Sequence, residues 1–498
     1  MRGAAIGCGT EIPKSHYPKN NYLYEKNLQN ILYSMEKQEY TIKRKALMLN
    51  LNPKIFGTLA EIGGGQETAR AFFQAGGASG TIAKTISAYD KTFSDFLYNK
   101  NKPGRYVSED RLIKMLDKEY QELVKILADK NDTCFFAFAN TVETLNFKKT
   151  NSGHGWLGVR FQLKPETPPN EVIIHVNLLE NDQLLQQYSL GALGVNLLFA
   201  CFHYYDRPNV FLQSLMENLD SDRVEINMAS MKGPDLDYVD NRLLSVQLVK
   251  NGMTNATVFD RYGQVQQPSD MLYKKNVLAF RGSFRPITYV GFDMLKSSYA
   301  LFKTEVDYQK ENTLALCEMT INNLLCDGEF DERDFLDRVD ILNGMGQNVM
   351  ISNFREYYRL AAYFSNFNIK NLRLVLGVPA LENVLHKKYY STLKGGLLEA
   401  FGRLFTENLK LYVYPSLDKN GKIQTAENIE IDKEITLLYQ HLLSNGKIVD
   451  IKNVKKNRLD ISSQIVLGKI QNGEADWEEM VPKYISEFIK NRRLFGIK

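Results

Sequence analysis

The chain has 498 residues, 44% hydrophobic and 24% charged, with 62 basic against 58 acidic side chains. At roughly 150 residues per domain this length predicts about three domains, with a core that needs no disulfide or metal staple. Near-balanced charge gives little general attraction for nucleic acid or anionic membrane, and the composition excludes a disordered polymer.

Residues 1–47 are rich in Lys, Tyr and Asn, lack a sustained apolar period, and read as a weakly ordered extension, partly helical over 22–39. Composition changes at Met48, a second candidate start. Residues 48–220 then read as an N-terminal α/β region. A strand over 55–62 runs into Gly63-Gly64-Gly65 and a helix over 67–74. Ser108 caps a helix reaching about residue 129, with Glu109 and Asp110 in its first turn. Strands follow over 134–140, 156–163 and 172–178, then a mostly apolar helix over 182–205 that contains Gly191 and Gly194.

From 221 to 416 strands and helices alternate. Strands are expected over 224–228, 256–259, 277–280, 314–320, 349–352, 372–378 and 409–414. Such alternation with short connections implies right-handed parallel βαβ units, as a (β/α) barrel or an open doubly wound sheet, with the barrel favoured. Residues 417–498 read as a mainly helical C-terminal region, with helices over 435–443 and 477–489.

Three loops have the chemistry of anion sites. Gly63, Gly64 and Gly65 stand between a strand and a helix, where free backbone N–H groups at a positive helix end suit a phosphate. The spacing is neither GxGxxG nor a P-loop, and a plain chain turn explains it too. In RGSFRP, Arg281 and Arg285 flank Gly282 and Ser283 at a strand's C-terminal end, where two guanidinium groups can clamp a phosphate or carboxylate. The alternative is a surface loop paired to nearby acids. Gly395 and Gly396 open a later helix, a position where barrels cradle phosphate.

Two residues are candidate catalysts. His154 lies between glycines in SGHGW, uncrowded enough to act as acid, base or donor, although a lone histidine is more often structural. Glu318 lies in the apolar strand CEMT, as a candidate base or as the ion-pair partner of an arginine. The 5 cysteines show no CxxC spacing and read as free thiols of a reducing compartment. No metal site is expected: the acidic stretch CDGEFDERDF lacks EF-hand spacing and reads as a helix cap. The sequence specifies no cofactor.

From Met48 onward the stretches LNLNPKIFGTLAEIGGGQE, GGASGTIAKTISAYD, GHGWLGVRFQL, VDNRLLSVQLVKNGMT, RGSFRP, GEFDERDFLDRVDIL and GGLLEAFGRLF resemble a bacterial family of about this length, common in Bacteroidetes. Its members carry two different labels, nicotinate-nucleotide adenylyltransferase and TonB-dependent receptor. The receptor label implies an outer-membrane barrel of about 22 alternating strands, a pattern absent from this sequence. The adenylyltransferase label implies an HxGH pair that positions ATP phosphates. The nearest match, His154-Gly155-Trp156, lies mid-chain and lacks the second histidine, so no residue carries over by position.

These readings together predict a cytoplasmic α/β protein that binds or transforms a phosphorylated small molecule, with nucleotides among the candidates. A nucleotidyltransferase or other phospholigand enzyme is one form of that reading. A non-catalytic scaffold or assembly protein is the alternative, and a nucleic-acid binder the third. No membrane partner is expected, and a homo-oligomer is compatible with the sequence.

Overall fold

Runs of buried apolar residues build the two large sheets of this chain. The computed structural model describes residues 40–497 except 327–328 and 453. The chain divides into Met1–Thr41 and Ile42–Lys498, and the fold below is that of the second unit. The helix expected over 22–39, like Cys8, lies outside the described residues.

The first sheet has six strands: β1 (Ile55–Gly63), β2 (Ile82–Ile86), β3 (Cys134–Glu143), β4 (Gly153–Phe161), β5 (Asn170–Leu178) and β6 (Val224–Lys232), in the order β2-β1-β3-β4-β5-β6. β1 pairs in parallel with β2 and β3, and β3 through β6 form an antiparallel meander. Helices α1 (Ile42–Asn50), α2 (Glu67–Ala75), α3 (Glu109–Ile126) and α4 (Gln183–His203) flank it.

β3 shows why its sequence is continuously apolar. Phe135, Ala137 and Ala139 join the core under α3, whereas Phe136 turns the other way onto Phe202 of α4. With both faces covered, no polar face is needed. Ser108 caps α3 by accepting from Arg111 N–H, as expected. The glycines of α4 let α2 approach: a methyl at Gly194 would lie 2.2 Å from Thr68 Oγ1 and one at Gly191 2.6 Å from Glu67 Cβ.

The boundary expected at residue 47 falls inside α1. That helix is pinned to the core by Lys45, fully buried, whose ammonium meets Asn196 Oδ1 at 2.6 Å and Glu217 Oε2 at 2.7 Å.

The second sheet has eight strands: β7 (Ala256–Phe259), β8 (Val265–Gln266), β9 (Asn276–Arg281), β10 (Thr313–Thr320), β11 (Asn348–Ser352), β12 (Asn371–Gly377), β13 (Leu409–Tyr414) and β14 (Ile448–Asp450). Their order is β14-β13-β12-β9-β10-β11-β7-β8. β9 to β14 are all parallel, and β7 and β8 add an antiparallel edge. Counting from β9, the parallel part runs 3-2-1-4-5-6, the doubly wound order. The sheet is therefore open, and the barrel alternative does not form. After β11 the chain returns past β9 and builds outward on its other side.

Alternate residues of β9 feed two cores. Val277 and Ala279 enter one, Leu278 and Phe280 the other, as a period of two requires.

The strand expected over 224–228 is β6, and it joins the first sheet rather than the parallel array. A strand–helix rhythm continues across the junction, because α5 (Asn241–Lys250) follows it, so the rhythm alone does not mark the change of sheet. The C-terminal region is helical as expected, with Thr436–Ser444, Ser463–Asn472 and Lys483–Arg492, and it also supplies the edge strand β14. Among the described residues one helix, Gln183–His203, has the length and apolarity to cross a bilayer; 72% of its apolar 18-residue stretch is buried inside the protein. Cys134, Cys201 and Cys317 are buried and free.

Candidate functional site

The C-terminal ends of β1 and β3 open into a cleft of about 870 Å³. Gly63 and Gly64 line it, with Gln66, Arg105, Glu143 and His154 around them. The structure thus brings together two features that are far apart in sequence, the glycine triplet and His154.

The glycines are required for close packing. Gly63 has φ +77°, and a methyl there would lie 1.9 Å from the Val142 carbonyl oxygen. A methyl at Gly64 would meet Thr144 Cγ2 at 2.5 Å, and one at Gly65 would meet Asn140 Oδ1 at 2.5 Å. The α2 N-terminus behind them already holds a carboxyl group. Glu61 accepts from Thr68 N–H at 3.2 Å and Ala69 N–H at 2.9 Å, and from Asn140 Nδ2 at 2.9 Å. Burial pushes its carboxyl up to about 7, against the pull of those donors.

His154 sits at the mouth of the β3–β4 hairpin, opposite Glu143. Its ring belongs to a chain of contacts running inward. His154 Nδ1 lies 3.2 Å from His175 Nε2, and His175 Nδ1 lies 2.7 Å from Asn227 Oδ1. Asn227 reaches that position through a β-bulge: His175 pairs with Met228 and Val176 with Ile226, leaving Asn227 as the extra residue.

The chain of contacts fixes the tautomers. The Asn227 carbonyl oxygen only accepts, so His175 carries its proton on Nδ1 and accepts at Nε2. His154 then donates from Nδ1 and keeps the Nε2 lone pair. That nitrogen lies 3.9 Å from Glu143 Oε2. Burial lowers His154 below the ordinary histidine range despite Glu143, and burial and the neighbouring His154 push His175 down to about 3. At neutral pH both rings are uncharged, and His154 presents an unprotonated nitrogen on the cleft side.

The other expected anion sites are turned on the chain's own carboxylates. Arg281 Nε donates to Glu318 Oε2 at 2.6 Å and its Nη2 to Glu318 Oε1 at 3.0 Å, while Ser352 Oγ donates to Glu318 at 2.5 Å. Glu318 is fully buried. Its carboxylate is therefore committed to a structural pair, the alternative weighed above, and is not free as a base. Arg285 Nε donates to Asp334 Oδ1 at 2.7 Å, and Asp334 also pairs with Arg338. Arg338 in turn holds the Ser283 carbonyl oxygen at 3.2 Å, and Gly282 N–H donates to the Glu318 carbonyl oxygen. RGSFRP does follow β9, at the point where doubly wound sheets bind ligands, but it is tied down there by internal pairs. At the late glycine pair, Gly395 N–H donates to Glu399 Oε2 at 2.8 Å. The shared physical reason is that the glycine and arginine geometry that suits a phosphate also suits an internal carboxylate.

His175, Asn227, Glu143 and Glu61 escaped the sequence reading. The signal for His175 was a second histidine in the strand that partners β4. For Asn227 there was none, since a bulge leaves no mark in the sequence pattern.

Among the described residues no group of three or more His, Cys, Asp or Glu side chains could hold a metal ion. No protein-family model matches the chain, and no curated protein matches it. Solved structures that align with parts of it include two bacterial proteins. The competence/damage inducible protein CihA from Agrobacterium tumefaciens is 14% identical, with 31% of this chain and 88% of that one covered at a TM-score of 0.22. A competence-damaged protein (CinA) superfamily protein from Escherichia coli is 15% identical, with 35% and 90% covered at a TM-score of 0.23. At such scores neither likeness bears on the site. The fold itself defines the class: an α/β protein built on one mixed sheet and one open, doubly wound sheet.

Proposed function

We propose that this protein is a cytoplasmic enzyme that acts on a small polar molecule in the cleft of the first sheet, with His154 as general base. The carrying observation is the Asn227–His175–His154 chain, which fixes an unprotonated Nε2 beside an 870 Å³ cleft. That volume lies within the range of small-molecule sites. In the reaction a substrate O–H or N–H gives its proton to His154 Nε2, and Glu143 steadies the resulting imidazolium. The buried free cysteines support a reducing compartment.

The cleft favours a neutral or cationic substrate. Its wall carries Glu67 and Glu143, and its arginine, Arg105, already pairs with Asp270 at 2.5 Å. A phosphorylated or nucleotide ligand, and with it the transferase reading, finds less support, because Glu61, Glu318, Asp334 and Glu399 occupy the groups expected to hold it. The same occupancy favours a second reading for the doubly wound sheet alone, as a non-catalytic structural body.

The test is turnover of a metabolite extract by the full chain, read by mass spectrometry. His154→Gln should lower consumption of any substrate found by at least about 100-fold, the usual size of a general-base contribution, with thermal-shift evidence of binding retained. Equal turnover in variant and wild type refutes the assignment.

A further inference from the structure

The N-terminal edge of the second sheet, the end away from RGSFRP, holds a different cavity. The starts of β10 and β11 and helix α6 (Tyr289–Phe302) enclose about 450 Å³ there. Arg261, Lys296 and Lys310 line it, together with Phe292, Leu314 and Met345, and no carboxylate does.

The charge at this cavity is uncompensated. The three cations stand exposed at its rim, whereas the least exposed cations among the described residues are paired: Lys45 with Glu217, Arg111 with Asp95, Arg281 with Glu318 and Arg373 with Glu305. Arg261, Lys296 and Lys310 form no ion pair with any described residue. Of the acids beside them in sequence, Glu311 is exposed and does not line the cavity, and the other two are engaged elsewhere. Asp260 accepts the N–H groups of Tyr262 and Gln264, and Asp293 accepts the Tyr414 hydroxyl at 2.6 Å. Three cations around one concave space set up a positive potential that draws an anion. The apolar wall beside them would cover a hydrocarbon or aromatic body but gives a bare inorganic ion nothing to bury against.

We propose that this cavity binds a small amphiphilic anion, a carboxylate, sulfonate or phosphate head on an apolar body, with Arg261, Lys296 and Lys310 meeting the head and Phe292, Leu314 and Met345 the body. The site is separate from the histidine cleft and does not depend on its assignment.

The experiment uses the full chain and the fluorescent arylsulfonate 1-anilinonaphthalene-8-sulfonate. It should bind saturably at one site, be displaced by octanoate, and resist octyltrimethylammonium at the same concentration. The double variant Lys296→Gln/Lys310→Gln should weaken its binding at least tenfold, with near-ultraviolet circular dichroism unchanged, while Lys125→Gln, exposed on α3 against the first sheet, leaves it unchanged. If the double variant alters the fold, Arg261→Gln alone carries the test, with at least a threefold loss expected. Binding within twofold of wild type in the folded variant, displacement by the cation as readily as by octanoate, or uptake that never saturates would each overturn the proposal.

Discussion

His175 and Glu61 titrate against each other, and the pH dependence of stability tests the burial of both. His175 is held down to about 3 from 6.5, so between those values the unfolded chain binds the extra proton, and its contribution to stability falls as pH falls. Glu61 is held up at about 7 from 4.5, so the folded chain binds the extra proton in that window, and its contribution falls as pH rises. The windows overlap from pH 4.5 to 6.5. There each group gives a slope of about 1.4 kcal/mol per pH unit, with opposite signs. Across that overlap the two nearly cancel in the wild type. His175→Gln leaves the Glu61 slope, so stability should drop by roughly 2–3 kcal/mol on going from pH 4.5 to 6.5 relative to the wild-type trend. Glu61→Gln should show the reverse, a similar drop from 6.5 to 4.5. All other titrating groups are common to the three proteins and leave the comparison unchanged. Urea unfolding followed by tryptophan fluorescence suits the measurement, since buried Trp156 stacks edge-on against His175 at 4.8 Å. Parallel stability–pH curves for wild type and both variants would refute the reasoning.

Lys45→Met should destabilise the first sheet by about 3 kcal/mol, the usual cost of stranding one partner of a buried pair, measured by the same urea unfolding. A chain begun at Met48 loses Lys45 and Ala46 together, and should unfold at lower urea than the single variant. Glu318→Gln should cost about 3–5 kcal/mol because it leaves the Arg281 guanidinium without its counter-ion. Calorimetric titration with inorganic phosphate should show no new affinity in wild type, and measurable binding that requires Arg281 would return the loop to its anion-clamp reading.

Much of the fold could be read from apolar periodicity. The strands of the parallel array and the capped helix after Ser108 lie close to where pattern and cap chemistry put them. Sheet membership was not legible: Val224–Lys232 has the same composition whether it pairs with β5 or opens a parallel array. Of the candidate site, His154 stood out because its flanking glycines have no side chain. A methyl at Gly155 would lie 2.7 Å from Val142 Cγ2, so the glycine that exposed the histidine in sequence also lets β4 approach β3. Its partners depended on cross-strand register and on one extra residue in β6, which a linear pattern does not encode. The arginine loop was legible as electropositive geometry but not as already satisfied, because Glu318 and Asp334 reach it only through the fold; Glu61 and Glu399 lie close in sequence to the glycines, but the pattern does not say that their carboxyls turn back onto the helix N–H groups.

Between its ends strand β9 is apolar toward both of its cores, so for residues 277–280 alone a slide by one residue would bury nothing polar and expose nothing apolar. Ordinary amphipathic patterning, which sets register wherever one face is wet, has no grip on such a strand. Its ends supply the missing information. Asn276, fully buried, accepts from Asn371 Nδ2 at 3.0 Å and donates to the Asp307 carbonyl oxygen at 3.1 Å, while Arg281 closes on Glu318 of the next strand. These polar residues act as dowels at either end of a greasy rod. A shift of one position would break both joints and leave a buried carboxylate and a buried amide unpaired, an error too costly for a misaligned sheet to persist.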